Sequence, residues 1–445
     1  MRLLYFISLF LFIAGCKNDV IPEDTGYQQY GTPFAEVPGV EEMIMYEVNL
    51  RAYSVSGDLS GVIADLDRLA AMHINTLWLM PIYAEGVLDA VHSPYCIQDY
   101  KKVSPEYGTL DDLRTLCDEA HARGIAVVLD WVANHTSWDH TWMANPDWYT
   151  QNASGEIISP PGTNWYDVAD LNFANADMRA AMIDAMRYWV LEANIDGYRC
   201  DYADGVPAEF WQQAIDSLRA IPNREIIMLA EGSYASHYTA GFDMTYSWDY
   251  YGTLQEVFAG APASDVYSTN NAEYADVPFD KALLRFTTNH DESAWNTSPI
   301  NLFGGEAGAL AASAMTIFMR GVPLIYTGQE TGRVTNTPFF SQSPIDWTAN
   351  PDMQLAYTEM LTVYDELSAA RSGAISTYSH PDVFCIKKTS DTEFVVLVNT
   401  RNTVVSHTLP TPLKNSNWTN AINGSAVSLG TEIVLDPYAY LLLKR

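Results

Sequence analysis

Four short apolar runs of this chain each close on a polar residue, and the stretches between them have the spacing of helices. Apolar strands that alternate with amphipathic helices are typical of parallel sheets covered by helices. If such strands close into a barrel, the side chains at their C-terminal ends converge on one face. The four segments are residues 130–135 (DWVANH), 197–201 (GYRCD), 228–232 (MLAEG) and 287–291 (TTNHD). We therefore expect the carboxylates of these segments to meet in space: Asp130, Asp201, Glu231 and Asp291.

Four further segments complete a set of eight strands, at residues 43–53, 74–83, 241–248 and 321–330. The helix after the first strand has an apolar stripe formed by Leu59, Val62, Ile63, Leu66 and Leu69. A second helix begins at Thr109, a good N-cap, and ends at Gly124. A third has an apolar face formed by Met178, Met182, Ala185, Met186 and Trp189. The sequence therefore predicts an α/β fold, a (β/α)8 TIM barrel over residues 38–370.

Two additions interrupt the strand and helix pattern. Residues 137–170 are rich in Trp, Pro, Gly and Asn and are too long for a simple loop, which indicates a small inserted domain over the barrel mouth. Residues 371–445 contain short alternating apolar segments separated by turn residues, which indicates a C-terminal antiparallel β domain.

The N-terminal segment is predicted to lie outside the fold. A positive residue, Arg2, precedes an apolar stretch that is too short to span a bilayer, and Cys16 follows two small residues. This pattern resembles a bacterial lipoprotein signal over residues 1–15, with lipid on Cys16 and a tether over residues 16–37. The alternative is an ordinary cleaved signal beside a chance cysteine. Either way we expect an extracytoplasmic protein, and the lipoprotein form would be attached to a bacterial membrane, periplasmic or surface-facing.

Composition limits the partners. The chain has 445 residues and a formal net charge of -31, which argues against nucleic acid or an anionic lipid surface and favours a neutral or cationic ligand. Of the five cysteines, the four beyond Cys16 show no metal-binding or disulfide spacing. We expect them to be small core residues.

The four strand-end segments, in this order, resemble the α-amylase superfamily, glycoside hydrolase family thirteen. The segments SPYCIQDYKKVSPEYGT before them and GVPLIYTGQE after them add to the resemblance, which covers roughly residues 43–445. The resemblance implies a (β/α)8 barrel, a B domain inserted after the third strand and a C-terminal β sandwich. It also implies retaining cleavage of α-glucosidic bonds in an α-glucan or maltooligosaccharide, with no organic cofactor.

The resemblance also assigns roles to single residues. By position Asp201 resembles the nucleophile, Glu231 the acid/base and Asp291 the third carboxylate, which holds sugar hydroxyls and stabilises the transition state. Repulsion among three carboxylates is expected to raise at least one pKa and to keep Glu231 protonated near neutrality. Four further residues would hold the sugar or the nucleophile: Tyr95, His135, Arg199 and His290.

Some of these residues have a simpler interpretation. An aspartate at a strand end is often a helix cap, and this would account for Asp130 or Asp204. Asp99 and Asp130 match the family pattern and are expected to support the site through hydrogen bonds. The aromatic residues of the insertion could form its core or stack on sugars, and the sequence leaves both open: Trp138, Trp142, Trp148, Tyr149 and Trp165.

A calcium site is the one metal centre that the resemblance implies. Asn134 and Asp170 occupy the places of two calcium ligands in the family. However, the Lys-His pair that often follows the nucleophile is replaced here by Tyr202-Ala203-Asp204-Gly205. Oxygen ligands suit Ca²⁺, but two are too few. Calcium therefore stays open at this point.

Three functions compete on the sequence alone. The first is a hydrolase of α-1,4-glucosidic bonds of the α-amylase, neopullulanase or maltogenic type. The second is an α-glucan transferase that uses the same residues but passes the glycosyl group to a sugar. The third is a non-catalytic glycan-binding lipoprotein, which the intact carboxylates Asp201, Glu231 and Asp291 disfavour.

Overall fold

The structure is a computed structural model that describes residues 26–445. The predicted signal, residues 1–15, the predicted lipid attachment at Cys16 and residues 16–25 of the predicted tether lie outside the described residues. The rest of that segment packs on the barrel: Tyr27 Oη donates to Asp184, and the N–H of Tyr30 donates to the carbonyl of Leu191.

Eight parallel strands form a closed barrel, which confirms the predicted fold class. The first strand pairs with the second and with the eighth, so that Met45 lies between Thr76 and Leu324. Every residue of the first strand is buried, as expected for a parallel sheet covered by helices. In chain order the strands are Met45–Val48, Thr76–Leu79, Ala126–Val132, Gly197–Asp201, Ile227–Ala230, Met244–Tyr246, Ala282–Arg285 and Val322–Tyr326.

Several strands end earlier than the sequence predicted. The first predicted strand turns into the short helix Leu50–Tyr53, and the sixth is followed by a helix that begins at Trp248. After the seventh strand, the side chain of Asn289 accepts a hydrogen bond from the N–H of Glu292 and caps the helix His290–Trp295. In this last case the polar residue at the strand end starts a new element, because its side chain satisfies a free N–H group of the helix.

The helices surround the barrel. The first predicted helix is broken into Leu59–Ile63 and Leu66–Ala71, although Leu59, Val62, Leu66 and Leu69 are all buried. The helix Leu110–His121 has the predicted cap, where the side chain of Thr109 and that of Asp112 each accept the other's N–H. The remaining helices are Ala176–Glu192, Ala208–Arg219, Ser236–Ala240, Trp248–Phe258, Asp265–Glu273, Pro299–Leu302, Glu306–Phe318, Pro351–Glu366 and Ser368–Ser372.

Two small two-stranded sheets follow the second and the third strands of the barrel. The strand His135–Ser137 pairs with Val168–Asp170 at the two ends of the insertion, and Tyr83–Glu85 pairs with Ile97–Val103 beside it. Between the strands His135–Ser137 and Val168–Asp170, the insertion contains the 3-10 turns Thr141–Ala144 and Pro146–Trp148. Both sheets therefore rise from the C-terminal end of the barrel.

The C-terminal domain is antiparallel. A six-stranded sheet runs in the order Ala374–Thr377, Val383–Thr389, Glu393–Asn399, Tyr440–Lys444, Ser416–Asn420 and Ala426–Leu429, and a second sheet pairs Val405–Thr408 with Glu432–Leu435. The domain packs on the helix Glu306–Phe318, where the rings of Phe318 and Phe394 are 5.1 Å apart. None of the helices in residues 26–445 is both long and apolar enough to cross a bilayer.

Candidate active site

A cavity of about 570 Å³ opens at the C-terminal ends of the barrel strands. It brings together six of the side chains that the sequence singled out: Tyr95, His135, Asp201, Glu231, His290 and Asp291. A larger cavity, of about 820 Å³, lies at the opposite end of the barrel and has none of these residues in its lining. The chemistry predicted from the strand ends is therefore possible only in the first cavity.

The three carboxylates reach this cavity from separate elements. Asp201 is the last residue of the fourth strand, and Glu231 follows the last residue of the fifth. Asp291 lies in the first turn of the helix His290–Trp295, after the seventh strand. Because parallel strands of a barrel all point the same way, residues far apart in sequence converge at this end.

Arg199 is the fully buried cation beneath the carboxylates. Its Nη1 donates hydrogen bonds to Asp130 Oδ1 at 2.8 Å and to Asp201 Oδ1 at 2.9 Å. Its Nη2 lies 2.9 Å from Glu231 Oε2, an ion pair without the angle of a hydrogen bond. Glu231 is therefore held less firmly by the guanidinium than Asp201 is, although the N–H of Tyr202 also donates to Glu231 Oε2 at 2.7 Å.

The environment raises the pKa values of the carboxylates to different extents. Burial raises the pKa of Glu231 to about 7; Arg199 acts against this rise, and the charges of Asp201 and Asp291 add to it. The predicted rise is thus found, with burial rather than repulsion as its main cause. Burial also raises the pKa of Asp201, to about 6, against the effect of Arg199. Glu231 therefore has the higher pKa of the two and is the better placed to carry a proton.

The two histidines of the cavity differ in charge. Burial alone would lower the pKa of His290, but Asp291 and Glu47 raise it to about 9, so the ring is an imidazolium. Its Nε2 lies 2.8 Å from the hydroxyl of Tyr95 and 3.4 Å from Asp291 Oδ2. Burial lowers the pKa of His135 to about 4, so this ring is neutral. His290 is therefore a charged donor at the floor of the cavity and His135 is an uncharged group in its wall.

Comparisons with known proteins agree on one family. The model of the α-amylase catalytic domain matches residues 28–166 and 148–366, which is most of the chain. The chain belongs to the α-amylase family. A solved α-amylase of Lactobacillus plantarum is 28% identical with a TM-score of 0.82, over 91% of this chain and 99% of that one.

Curated members of the α-amylase family show the same likeness. An α-amylase of Haloarcula japonica is 29% identical over 320 residues, which are 68% of this chain and 46% of that protein. The chain thus matches about half the length of this relative. A trehalose synthase/amylase of Mycolicibacterium smegmatis is 34% identical over 225 residues, 42% of this chain and 37% of that protein.

Asp130 and Asp204 are not helix caps, which was the simpler interpretation of both residues. Asp130 accepts hydrogen bonds from Trp78 Nε1 and Tyr95 Oη as well as from Arg199, so it supports the site of this α-amylase family member. The Asp204 carboxylate faces His237 Nε2 at 2.6 Å and does not cap the following helix. Asp99 accepts the N–H of Lys101 and is absent from the cavity lining, so the expected support from Asp99 is not seen.

The aromatic residues of the insertion divide between the two roles predicted for them, cavity lining and core packing. Trp165 lines the cavity and meets the His135 ring edge to face at 5.6 Å. The other four pack inward: Tyr149 is buried, and the rings of Trp138, Trp142 and Trp148 lie against the main core. The sequence could not separate them, because the insertion has no periodic pattern that would indicate which side chains face the cavity.

Several residues of the site were missed. Trp295, Phe339 and Phe340 form an aromatic wall: Trp295 is the last residue of the helix His290–Trp295, and Phe339 and Phe340 lie in a loop that has no periodic pattern. Glu47 lies beneath His290, and its Oε1 pairs with His290 Nδ1. The sequence did indicate that Glu47 has a special role, because a charged residue in the middle of the apolar run MIMYEVNL is unusual for a buried strand.

The acidic, histidine and cysteine side chains of the described residues do not by themselves make up a site for the calcium ion that the α-amylase family often contains. In residues 26–445 no three side chains of His, Cys, Asp or Glu are grouped so that they could hold a metal. Asn134 and Asp170 do approach each other, because the N–H of Leu171 donates to the carbonyl of Asn134. Calcium needs six to eight oxygen ligands, and these two side chains supply too few. No step below depends on a metal.

Proposed function

We propose that the chain is a retaining hydrolase of α-1,4-glucosidic bonds in starch-like α-glucans or maltooligosaccharides. The observation that carries this proposal is the contact of one buried guanidinium with two carboxylates of unequal pKa. Arg199 touches both Asp201 and Glu231 in a cavity at the catalytic end of the barrel. Membership of the α-amylase family supports the substrate class.

In the first step the carboxylate of Asp201 attacks the anomeric carbon. The bond from that carbon to the glycosidic oxygen breaks, and the oxygen takes the proton of Glu231 as it leaves with the second sugar. The raised pKa of Glu231 provides this proton near neutral pH. The product is a glycosyl ester on Asp201 and an ionised Glu231.

In the second step Glu231 takes a proton from water, and the water oxygen attacks the anomeric carbon. The ester bond breaks and returns the carboxylate to Asp201, where Arg199 donates to it. Asp291 and the charged His290 lie where they would hold hydroxyls of the reacting sugar. Two inversions at one carbon give net retention of configuration.

The closeness of the two carboxylates supports retention over inversion. Asp201 and Glu231 each lie 2.9 Å from a different Nη atom of the same guanidinium. Retaining glycosidases keep the two carboxyl groups about 5 Å apart, whereas inverting enzymes leave room for a water between them. A shared guanidinium favours the shorter spacing.

Transfer to a sugar is the second candidate. One observation favours it: the trehalose synthase/amylase named above is among the relatives. Transfer would use the same ester on Asp201, with a sugar hydroxyl in place of water. A non-catalytic glycan-binding protein is disfavoured, because the carboxylates are intact and Glu231 has a pKa suited to proton transfer.

The proposed activity is tested with starch and with maltotriose. We expect reducing sugar to be released from starch and the first product, followed by proton NMR, to be the α anomer. A β anomer as the first product would rule out retention. Longer products from maltotriose, without net release of reducing ends, would favour transfer.

We propose further that the protein is extracytoplasmic and held to a bacterial membrane by lipid on Cys16. The support is the sequence alone: a positive residue, a short apolar stretch and two small residues before the cysteine.

A further inference from the structure

The residue after the proposed nucleophile has an unusual backbone. Tyr202 has φ 42° and ψ 48°, in the left-handed region. Bulky L residues rarely occupy this region, and such strain is concentrated at functional sites. This conformation turns the N–H of Tyr202 toward Glu231 Oε2, at 2.7 Å.

The ring of Tyr202 occupies the space that Gly205 leaves open. A Cβ added to Gly205 would lie 2.2 Å from Cε1 and 2.5 Å from Cδ1 of Tyr202, so only glycine leaves room for the ring. On its other side the ring meets Trp165, with centroids 5.1 Å apart and planes at 83°. The ring is therefore held between the chain after the fourth strand and the insertion.

The outer part of Tyr202 is open to a ligand. The side chain is 37% exposed and lines the cavity together with Trp165, Asp201 and Glu231. Its hydroxyl makes no hydrogen bond to any other residue in the described range 26–445, whereas the hydroxyl of Tyr95, the other tyrosine of the lining, contacts Asp130 and His290. A rigid ring with an available hydroxyl is suited to the apolar face and the hydroxyls of a sugar.

The position of Tyr202 indicates which sugar it would bind. Under the proposed function, the oxygen of the leaving sugar must reach the proton of Glu231. Tyr202 is tied to Glu231 through its own N–H, and His290 and Asp291 line the cavity from a different element. A sugar whose oxygen bonds to Glu231 would therefore lie beside Tyr202, whose side chain also lines the cavity.

We propose that Tyr202 and Trp165 form an aromatic platform for the sugar on the leaving-group side, with Tyr202 as its specificity-determining residue. This inference rests on the proposed function. An acceptor sugar would occupy the same platform. Its hydroxyl would attack the anomeric carbon of the ester, Glu231 would take the hydroxyl proton, and the ester bond to Asp201 would break. The platform thus sets the share of transfer relative to hydrolysis.

The test compares two substrates in four variants. Maltotriose has a sugar leaving group, whereas α-maltosyl fluoride has none. We expect Tyr202→Ala to lower kcat/KM on maltotriose at least about tenfold, the loss of one buried aromatic contact, and to change it less than about twofold on the fluoride. The proportion of transfer products at high maltotriose should fall as well.

Three further variants separate the parts of the platform. Gly205→Ala should resemble Tyr202→Ala because it displaces the ring without removing it. Tyr202→Phe should lose only the hydroxyl contact and fall between the wild type and Tyr202→Ala. Tyr166→Ala is the matched control, since Tyr166 is 75% exposed, follows Trp165 and does not line the cavity. Thermal unfolding identifies any variant that fails to fold.

Equal losses on both substrates, or no loss on either, would overturn the platform. Inactivity of the wild type on both substrates would instead contradict the proposed hydrolase. The platform would then be judged by calorimetry with maltose. Binding that Tyr202→Ala weakens at least about tenfold supports it, and binding that is unchanged or absent overturns it.

Discussion

Glu47 and His290 are 243 residues apart in the chain and form a buried pair, Oε1 to Nδ1, beneath the proposed site. The other oxygen of Glu47, Oε2, is buried without a partner among the described residues. Glu47 and Asp291 together raise the pKa of His290 to about 9. Glu47 therefore acts on the cavity through the charge of His290, without lining the cavity itself.

Replacing Glu47 tests this relationship. Glu47→Gln should lower the pKa of His290 and make the alkaline limb of the kcat/KM profile, which deprotonation of Glu231 already produces, steeper, with about a tenfold loss relative to the wild type at pH 8 and a smaller loss at pH 6. A pKa raised above the unfolded value stabilises the fold below about pH 6.5, and this stabilisation is lost as pH rises through about 9. The difference in free energy of unfolding between wild type and variant should shrink over that window.

The matched control for Glu47 is Glu273→Gln. Glu273 is the partner of a buried cation, Arg285, but lies away from the cavity. The variant Glu273→Gln should lower the free energy of unfolding without changing the pH profile of kcat/KM. An unchanged alkaline limb in Glu47→Gln would show that Glu47 is only a structural residue.

Asp201→Asn should abolish turnover, because an amide cannot form the glycosyl ester. We expect less than about one per cent of wild-type kcat and a thermal midpoint close to that of the wild type. Asp204→Asn, whose side chain faces His237 instead of the cavity, should retain turnover. Substantial activity in a folded Asp201→Asn protein would place the nucleophile elsewhere.

Glu231→Gln should separate substrates by their leaving groups. A sugar leaving group needs the proton of Glu231, so hydrolysis of maltooligosaccharides should be slowed severely. An α-glucosyl fluoride leaves without that proton, so formation of the ester should be slowed far less, and azide should attack the ester without a base. Equal loss on both substrates with no azide adduct would make Glu231 a binding residue.

Removal of calcium should leave the protein unchanged. The described residues supply too few donors, so dialysis against a chelator should not lower the thermal midpoint, and added calcium should not raise it. A midpoint that increases with calcium concentration would show that backbone oxygens around Asn134 and Asp170 complete a site.

Cys16→Ser tests the proposed anchor. Expressed in a bacterial host, the wild type should be recovered with the membrane fraction and the variant should not, because a lipid on this residue is the only anchor that the sequence predicts. Recovery of the wild type entirely in the soluble fraction would contradict lipid attachment.

The barrel could be predicted because each strand is a local run of apolar residues that ends on a polar one. That pattern was enough to predict that Asp201, Glu231 and Asp291 line one cavity. The pair of Glu47 and His290 could not be predicted in this way, because it depends on closure of the barrel, which brings the first strand close to the chain that follows the seventh. The backbone of Tyr202 and the positions of Phe339 and Phe340 depend on loops, where no periodic pattern exists.

The pairing of Met45–Val48 with Val322–Tyr326 also determines when the barrel can close during synthesis. The first strand leaves the ribosome early, but its second neighbour emerges almost three hundred residues later. Until then the nascent sheet has two open edges, which can pair with other chains. Glu47 likewise has no partner until His290 has been translated. A fragment that stops before Val322 would therefore have all three carboxylates and still expose an unclosed sheet to aggregation.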